Sequence, residues 1–347
     1  MTYCVGWVLG DAVYLVADSA ATSSTIPVVT QSSFGQSHRV VRGEYVDEGL
    51  LKLAPVGRDA AIAYAGDVEA ASKVLEFLID HWLMFNGDLV RLQKALRNAF
   101  SPSFDRWKVS LLLALCTEVG PQLVRWGPVL GFEVQREDQC SIGSLSAPHR
   151  ALVESVLKEL RRINPPKEDV LPVVSAFIQS LGVHDDLIEH NVGGAVVGLQ
   201  LDSDGIAWQP DTAYFLLGRC PEEVPDFIRV GVRDDALVVQ SSITEAPMVL
   251  MNSAVPSWQK WHEKWNQIVA SEYLQDHYPF VVFIRKDVRS ITVIRRTPGR
   301  EGRYMRFRPS NDVLHLECTL ELSEILSRQC AQPPLGPPFD LVCLQQP

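Results

Sequence analysis

The residue whose position most suggests chemistry is Thr2, next to Met1. Loss of an initiator methionine before a small residue is common, and it would leave Thr2 with a free α-amine beside its own hydroxyl. An α-amine with a pKa of ~7.7–8.0 is partly unprotonated at neutral pH. It can take the hydroxyl proton, directly or through a water, and pass it to a leaving amine, so one residue supplies nucleophile and base. Position alone does not establish this, since many chains carry threonine there without catalytic consequence. A nucleophilic hydroxyl also needs a cation to favour its alkoxide, and that cation needs a carboxylate to hold it. Asp18 closes the apolar run that ends Val16-Ala17, and Lys52 interrupts Leu50-Leu51-Lys52-Leu53-Ala54. A lysine with apolar neighbours on both sides is either aimed at a partner or snorkels its ammonium to water. As an isolated pair with Asp18, snorkelling or a plain salt bridge is the simpler account.

The elements around these residues follow from periodicity and turn chemistry. Residues 2–9 and 12–18 read as two strands joined at Gly10-Asp11, which delivers Asp18 to the end of the second strand. Residues 19–48, rich in Ser, Thr, Gln and Gly, read as a loop with room for short strands. A second strand pair, 50–55 and 59–65, carries Lys52. Gly66-Asp67 opens a helix at 68–85 with Val68, Ala71, Val74, Leu75, Phe77, Leu78 and Trp82 as its apolar positions, and a second helix follows at 88–99. A hairpin at 108–116 and 121–126, an extended stretch at 130–142 and two helices at 147–162 and 168–181 come next. Strands at 195–201 and 206–209 follow them. Helices that arrive in consecutive pairs argue against a doubly wound parallel sheet and for antiparallel sheets under helix layers. Beyond residue 225, strands are expected at 228–242, 279–285, 290–296, 303–308 and 312–320, with a helix at 256–274 and an irregular tail at 331–339.

With these elements in place, Thr2 through Val16-Ala17-Asp18-Ser19-Ala20-Ala21-Thr22 resembles the opening of a proteasome β-type subunit. Lys52-Leu53-Ala54-Pro55, followed by an apolar strand and Gly66, resembles the same family. Thr2 and Asp18 stand 16 positions apart, and Lys52 and Gly66 stand 14 apart, as their counterparts do in that family. Thr2-Tyr3-Cys4-Val5-Gly6 is also similar to the bacterial proteasome homologues called Anbu. The central hairpin around Gly120-Pro121 and the segment Ile142-Gly143-Ser144 extend the likeness over about residues 2–215. The resemblance implies an α+β fold, a four-layer αββα sandwich of the N-terminal nucleophile (Ntn) hydrolase type, over residues 2–225, with an additional α+β extension over 226–347. It implies a threonine-type peptidase or amidase, with Thr2 as nucleophile and its amine as general base. Lys52 would lower the hydroxyl pKa, Asp18 would position Lys52, and the Gly66 N–H would serve an oxyanion. Ser144 and Glu189 would hydrogen-bond the amine, Thr22 would pair with the substrate backbone, and Tyr64 would stand at the specificity pocket, as a shallow floor or an aromatic wall. No cofactor or metal is implied. A peptide or protein substrate and a homo-oligomeric ring or spiral are expected by analogy, with activation requiring only loss of Met1.

Departures from the family pattern fall near the same site. The 23–49 loop is longer, Ala20 replaces an arginine, Val192 stands where a serine is usual, and Glu189 is longer than the usual aspartate. Two rival readings accompany the enzyme: an inactive proteasome-like scaffold or regulatory subunit, and a small-amide hydrolase on the same residues.

Other signals have plainer readings. Seven cysteines at wide spacing, with no C-x-x-C pair, read as free thiols of a reducing compartment, and Cys4 reads as a strand residue. His184, Asp185, Asp186 and His190 superficially suggest a metal and read better as a solvated turn. Trp258, Trp261 and Trp265 share one helical face and read as packing, or as a partner interface. The basic stretch from Arg285 to Arg308 reads as one solvated or inter-subunit hairpin face. A net charge of −10 argues against general nucleic-acid binding. No window approaches ~18 uninterrupted apolar residues and no signal peptide is seen, so a cytoplasmic chain without membrane contact is expected. The extension beyond 225 could recruit a regulatory partner.

Overall fold

The computed structural model describes residues 3–23, 31–36, 39–41, 44–85, 87–100, 108–127, 133–185, 187, 191–218, 225–244, 247–252, 278–287, 290–295, 305–310, 313–318 and 340–344. The chain opens with β1 (Tyr3–Leu9) and β2 (Ala12–Asp18), then three short strands, β3 (Ala20–Ser23), β4 (Arg39–Val41) and β5 (Glu44–Glu48). β6 (Leu53–Pro55) and β7 (Ala60–Gly66) lead into α1 (Val68–Phe85) and α2 (Leu89–Phe100). β8 (Val109–Thr117), β9 (Gly120–Trp126), β10 (Gln135–Glu137) and β11 (Gln139–Gly143) precede α3 (Ala147–Ile163) and α4 (Lys167–Asp185). Next come β12 (Val196–Asp202), β13 (Gly205–Trp208), β14 (Thr212–Leu217), β15 (Asp226–Arg233), β16 (Ala236–Ser241) and β17 (Met248–Leu250). β18 (Phe280–Arg285), β19 (Ser290–Arg295), β20 (Met305–Ser310), β21 (Val313–Cys318) and β22 (Asp340–Leu344) complete the chain. The class is α+β.

Two five-stranded sheets are antiparallel throughout. The first has the order β11-β1-β2-β12-β13 and the second β10-β9-β8-β7-β6. They pack face to face. A side chain at Gly6 of β1 would sit 2.7 Å from Leu123 of β9, so glycine lets the two strands approach. The second sheet turns its other face to α1 and α2. Ala71, Val74, Leu75, Leu78 and Trp82 recur at helical spacing along α1 and are buried there.

Helix α4 is buried around almost its whole circumference from Asp169 to Gly182. A helix apolar on every side must be covered on every side. α4 packs against β2 and β12 on one side and β18 and β19 on the other. The second cover is a seven-stranded sheet, β17-β16-β15-β14-β18-β19-β22, whose inner face shares one core with α4 and the first sheet. This sheet takes strands from both sides of residue 225.

The third sheet is mixed, because β14–β18 and β19–β22 pair in parallel. β14 itself is not anticipated by alternation: Thr212-Ala-Tyr-Phe-Leu-Leu is buried on both faces, so its apolar run carries no period of two. Of the expected basic face, only the side chains of Arg285, Lys286 and Arg295 are described; Arg289, Arg296, Arg300 and Arg303 lie outside the described residues, as do the side chains of Arg306 and Arg308. Arg285 and Arg295 lie at opposite ends of the β18–β19 pair. Arg285 bonds Asp287, Lys286 bonds Asp226, and Arg295 bonds Glu168 and Asp169 of α4. The expected 256–274 helix with its three tryptophans and the 331–339 tail lie outside the described residues. Among the described residues no helix is long and apolar enough to cross a membrane.

Candidate active site

Asp18 ends β2 between β1 and β12, opposite Val196. Lys52 lies just before β6, at the edge of the second sheet, and its carbonyl accepts from Tyr64 N at 3.2 Å. The face-to-face packing of the sheets brings the two together. Lys52 Nζ donates to Asp18 Oδ1 at 2.8 Å, with 2% and 0% of their side chains exposed. Both ions have left water, a cost that is offset only by good geometry and further hydrogen bonds. Asp18 has those bonds: Tyr3 N donates to Oδ1 at 3.0 Å and Gly193 N to Oδ2 at 2.9 Å. Lys52 is therefore a partnered lysine rather than a snorkelling one. Through Tyr3 N, Asp18 thus bonds the first described backbone amide of β1. Thr2 and Glu189 lie outside the described residues.

Gly66 closes β7 immediately before α1, with φ +111°, and a Cβ there would fall 1.9 Å from the Lys108 carbonyl oxygen. Only glycine fits this backbone. Asp67 caps the helix that follows, its Oδ1 accepting from Ala70 N at 3.1 Å. The negative charge thus sits next to the expected oxyanion donor. Gly143 pairs with Tyr3, so Ser144 stands at the open end of the β1–β11 ladder, half-buried. Arg150 of α3 grips the carbonyls on either side of it, those of Gly143 and Leu145. Asp18, Lys52 and Ser144 are thus gathered around the start of β1.

The Tyr64 side chain turns away from this group, and Thr22 lies on the surface of β3. Tyr64 is buried in the core between the second sheet and α1–α2, and its hydroxyl donates to the Leu51 carbonyl at 3.2 Å. Thr22 is exposed on β3, opposite Val46. Cys4 donates to the Tyr64 carbonyl at 3.3 Å, and burial pushes its thiol far above the usual range, which suits a packing role. Near α4, His149 links Ser146 at 2.6 Å to Asp185 at 3.2 Å, tying the start of α3 to the end of α4. Asp185 therefore serves α3, while Asp186 and His190 lie outside the described residues.

Sequence reasoning passed over Glu48. It ends β5, is buried, and accepts from Ser33 N at 2.8 Å, Ser33 Oγ at 2.9 Å, Ser19 Oγ at 3.2 Å and Ala195 N at 2.5 Å. Burial pushes its carboxyl up, against the pull of these hydrogen bonds. Gln36 lies beside it, with Oε1 accepting from Gly194 N at 2.8 Å and Nε2 donating to the Gly182 carbonyl at 3.0 Å. The only local signal was a carboxylate followed by glycine at the end of a polar loop, which reads equally well as a solvated turn.

A scan against protein-family models finds no match to this chain, and a search of curated proteins finds none.

Proposed function

We propose that the chain is an N-terminal threonine hydrolase of the proteasome-like kind, cleaving peptide or amide bonds with Thr2 once Met1 is removed. The observation that carries this reading is the buried Lys52–Asp18 ion pair, hydrogen-bonded to Tyr3 N at the start of β1. A buried ammonium, held by the same carboxylate that bonds the Tyr3 amide, is suited to favour an alkoxide over a hydroxyl on Thr2. The packing order of helix pair, sheet, sheet and helix pair supports an Ntn-type four-layer sandwich as the finer fold. A ring or spiral of copies and a cytoplasmic setting belong to the same proposal.

In this mechanism the Thr2 amine takes the hydroxyl proton as Oγ1 attacks the substrate carbonyl carbon. The tetrahedral oxyanion is met by the Gly66 N–H, and the ammonium returns the proton to the leaving amine. Water then adds to the Thr2 ester, and the acid product departs as Oγ1 regains its proton. Lys52 lowers the cost of the alkoxide, and Asp18 keeps Lys52 aimed.

The test is intact mass before and after treatment with a peptide epoxyketone, which needs both the hydroxyl and the free amine. Loss of Met1 with one adduct, absent from Thr2→Ala, is the expected result. A protein that keeps Met1 and takes no adduct overturns the proposal in favour of an inactive scaffold. Loss of Met1 with hydrolysis of small amides alone points to the small-amide reading.

A further inference from the structure

The turn before β12 is held in an unusual way. Four successive backbone N–H groups donate to side chains: Gly193 to Asp18, Gly194 to Gln36, Ala195 to Glu48 and Val196 to Gln179. Two of the four acceptors, Gln36 and Glu48, come from the long segment after Asp18, the part of the chain that departs most from the family it resembles. The fit is close as well as polar. A Cβ at Gly193 would lie 2.7 Å from Gln36 Oε1, and one at Gly194, with φ +69°, would lie 2.4 Å from Ser19 Oγ and 2.8 Å from Glu48 Cγ. Glycine at both positions lets the turn sit down on these side chains. The first N–H of the series is the one that Asp18 Oδ2 accepts. The place of Gly193, and with it the hydrogen bonding of Asp18, is therefore set by Gln36 and Glu48 just downstream.

We propose that Glu48 is a positioning residue for the catalytic pair: through Ala195 and Gly194 it holds the Gly193 N–H on Asp18, and so fixes the Asp18–Lys52 ion pair. The inference rests on the N-terminal threonine reading given above. Glu48 does not touch Asp18 or Lys52; its partners are Ser19, Ser33 and Ala195. Asp18 is faced by Lys52 and by the Cys4 thiol, which burial keeps neutral. If the turn loosens, Asp18 loses one of its three donors and its negative charge is less compensated. A neighbouring amine base then holds its proton more tightly.

Glu48→Gln tests this with little change in size, since an amide cannot accept from both Ser33 N and Ala195 N. Ser33→Ala is the milder companion, removing one hydroxyl and leaving the carboxylate in place. Epoxyketone labelling, kcat and KM, the pH profile of kcat/KM, and amide exchange at Gly193–Ala195 are measured for wild type and both variants. The expected result for Glu48→Gln is faster exchange at the turn, kcat lower by about 10- to 100-fold with KM little changed, and an acid limb moved to higher pH. Ser33→Ala should move each reading in the same direction by less. A folded Glu48→Gln whose acid limb and kcat match wild type overturns the inference while leaving the threonine reading intact. Faster exchange with an unmoved limb does the same, because Glu48 is then a brace and nothing more. If Glu48→Gln does not fold, an unmoved limb in Ser33→Ala overturns it. A wild type that takes no adduct overturns the threonine reading first, and this inference with it.

Discussion

A lysine ammonium sealed from water is tolerable only because its partner is sealed with it. Asp18 accepts from Lys52, Tyr3 N and Gly193 N, so the carboxylate is met by two backbone donors as well as by the ammonium. Removing one ion leaves the other buried and uncompensated. Lys52→Met should therefore abolish turnover and also lower stability, by about 3–5 kcal/mol. Lys52→Met combined with Asp18→Asn should recover most of that stability and none of the activity. Urea unfolding of the two single variants and the double variant measures the coupling; additive losses would mean that the pair does not act as a unit.

At the scale of elements, β14 and β15 are joined by a second, partly buried charge cluster. Asp211, just before β14, accepts from Arg229 at 3.0 Å and from Arg233 at 2.8 Å, and the absence of a side chain at Gly231 makes room for it. Arg229 lies over the Tyr278 ring, 4.9 Å from its centre. Burial pushes the Asp211 carboxyl up, but the hydrogen bonds and charges of Arg233 and Arg229 outweigh it and hold the group below its ordinary value. A depressed carboxyl stabilises the fold above its unfolded pKa of ~3.9, and that contribution is lost as pH falls through the folded value. Asp211→Asn should thus be less stable than wild type at neutral pH, and the gap should narrow below about pH 4. Urea midpoints across that range check the sign; a gap that is constant with pH would refute the linkage.

At the scale of the molecule, α4 joins two halves. Its inner side packs on the first sheet and its outer side on the seven-stranded one, and the residues of both belong to a single core. A chain cut after residue 225 would keep α4 while stripping its outer cover and leaving β14 without either hydrogen-bonded neighbour. Exposed apolar helix surface and unpaired strand edges favour association. The truncated chain should aggregate on size-exclusion chromatography. A soluble monomer unfolding at the wild-type urea midpoint would show that the third sheet is dispensable.

The sequence by itself determined what depends on near neighbours. Apolar runs bounded by turn residues placed β1, β2, β7 and β8, helical spacing placed α1, α2 and α3, and the types and positions of Asp18 and Lys52 singled out that pair. Its burial was beyond the sequence, because a lysine among apolar residues can snorkel as readily as it can pair. Tyr64 looked available for a pocket, yet even-numbered residues of β7 face α1 and α2, and only sheet packing decides which face is which. The arginines of β18 and β19 looked like one surface until strand register set them at opposite ends and supplied a carboxylate to each. Glu48 and Gln36 were the hardest to foresee. Gln36 meets the Gly194 N–H from 158 positions away, and Glu48 meets the Ala195 N–H from 147. Periodicity is a local property of the chain, whereas the satisfaction of a buried polar group is not. Which distant N–H meets which carboxylate is decided only when the sheets and α4 close around them.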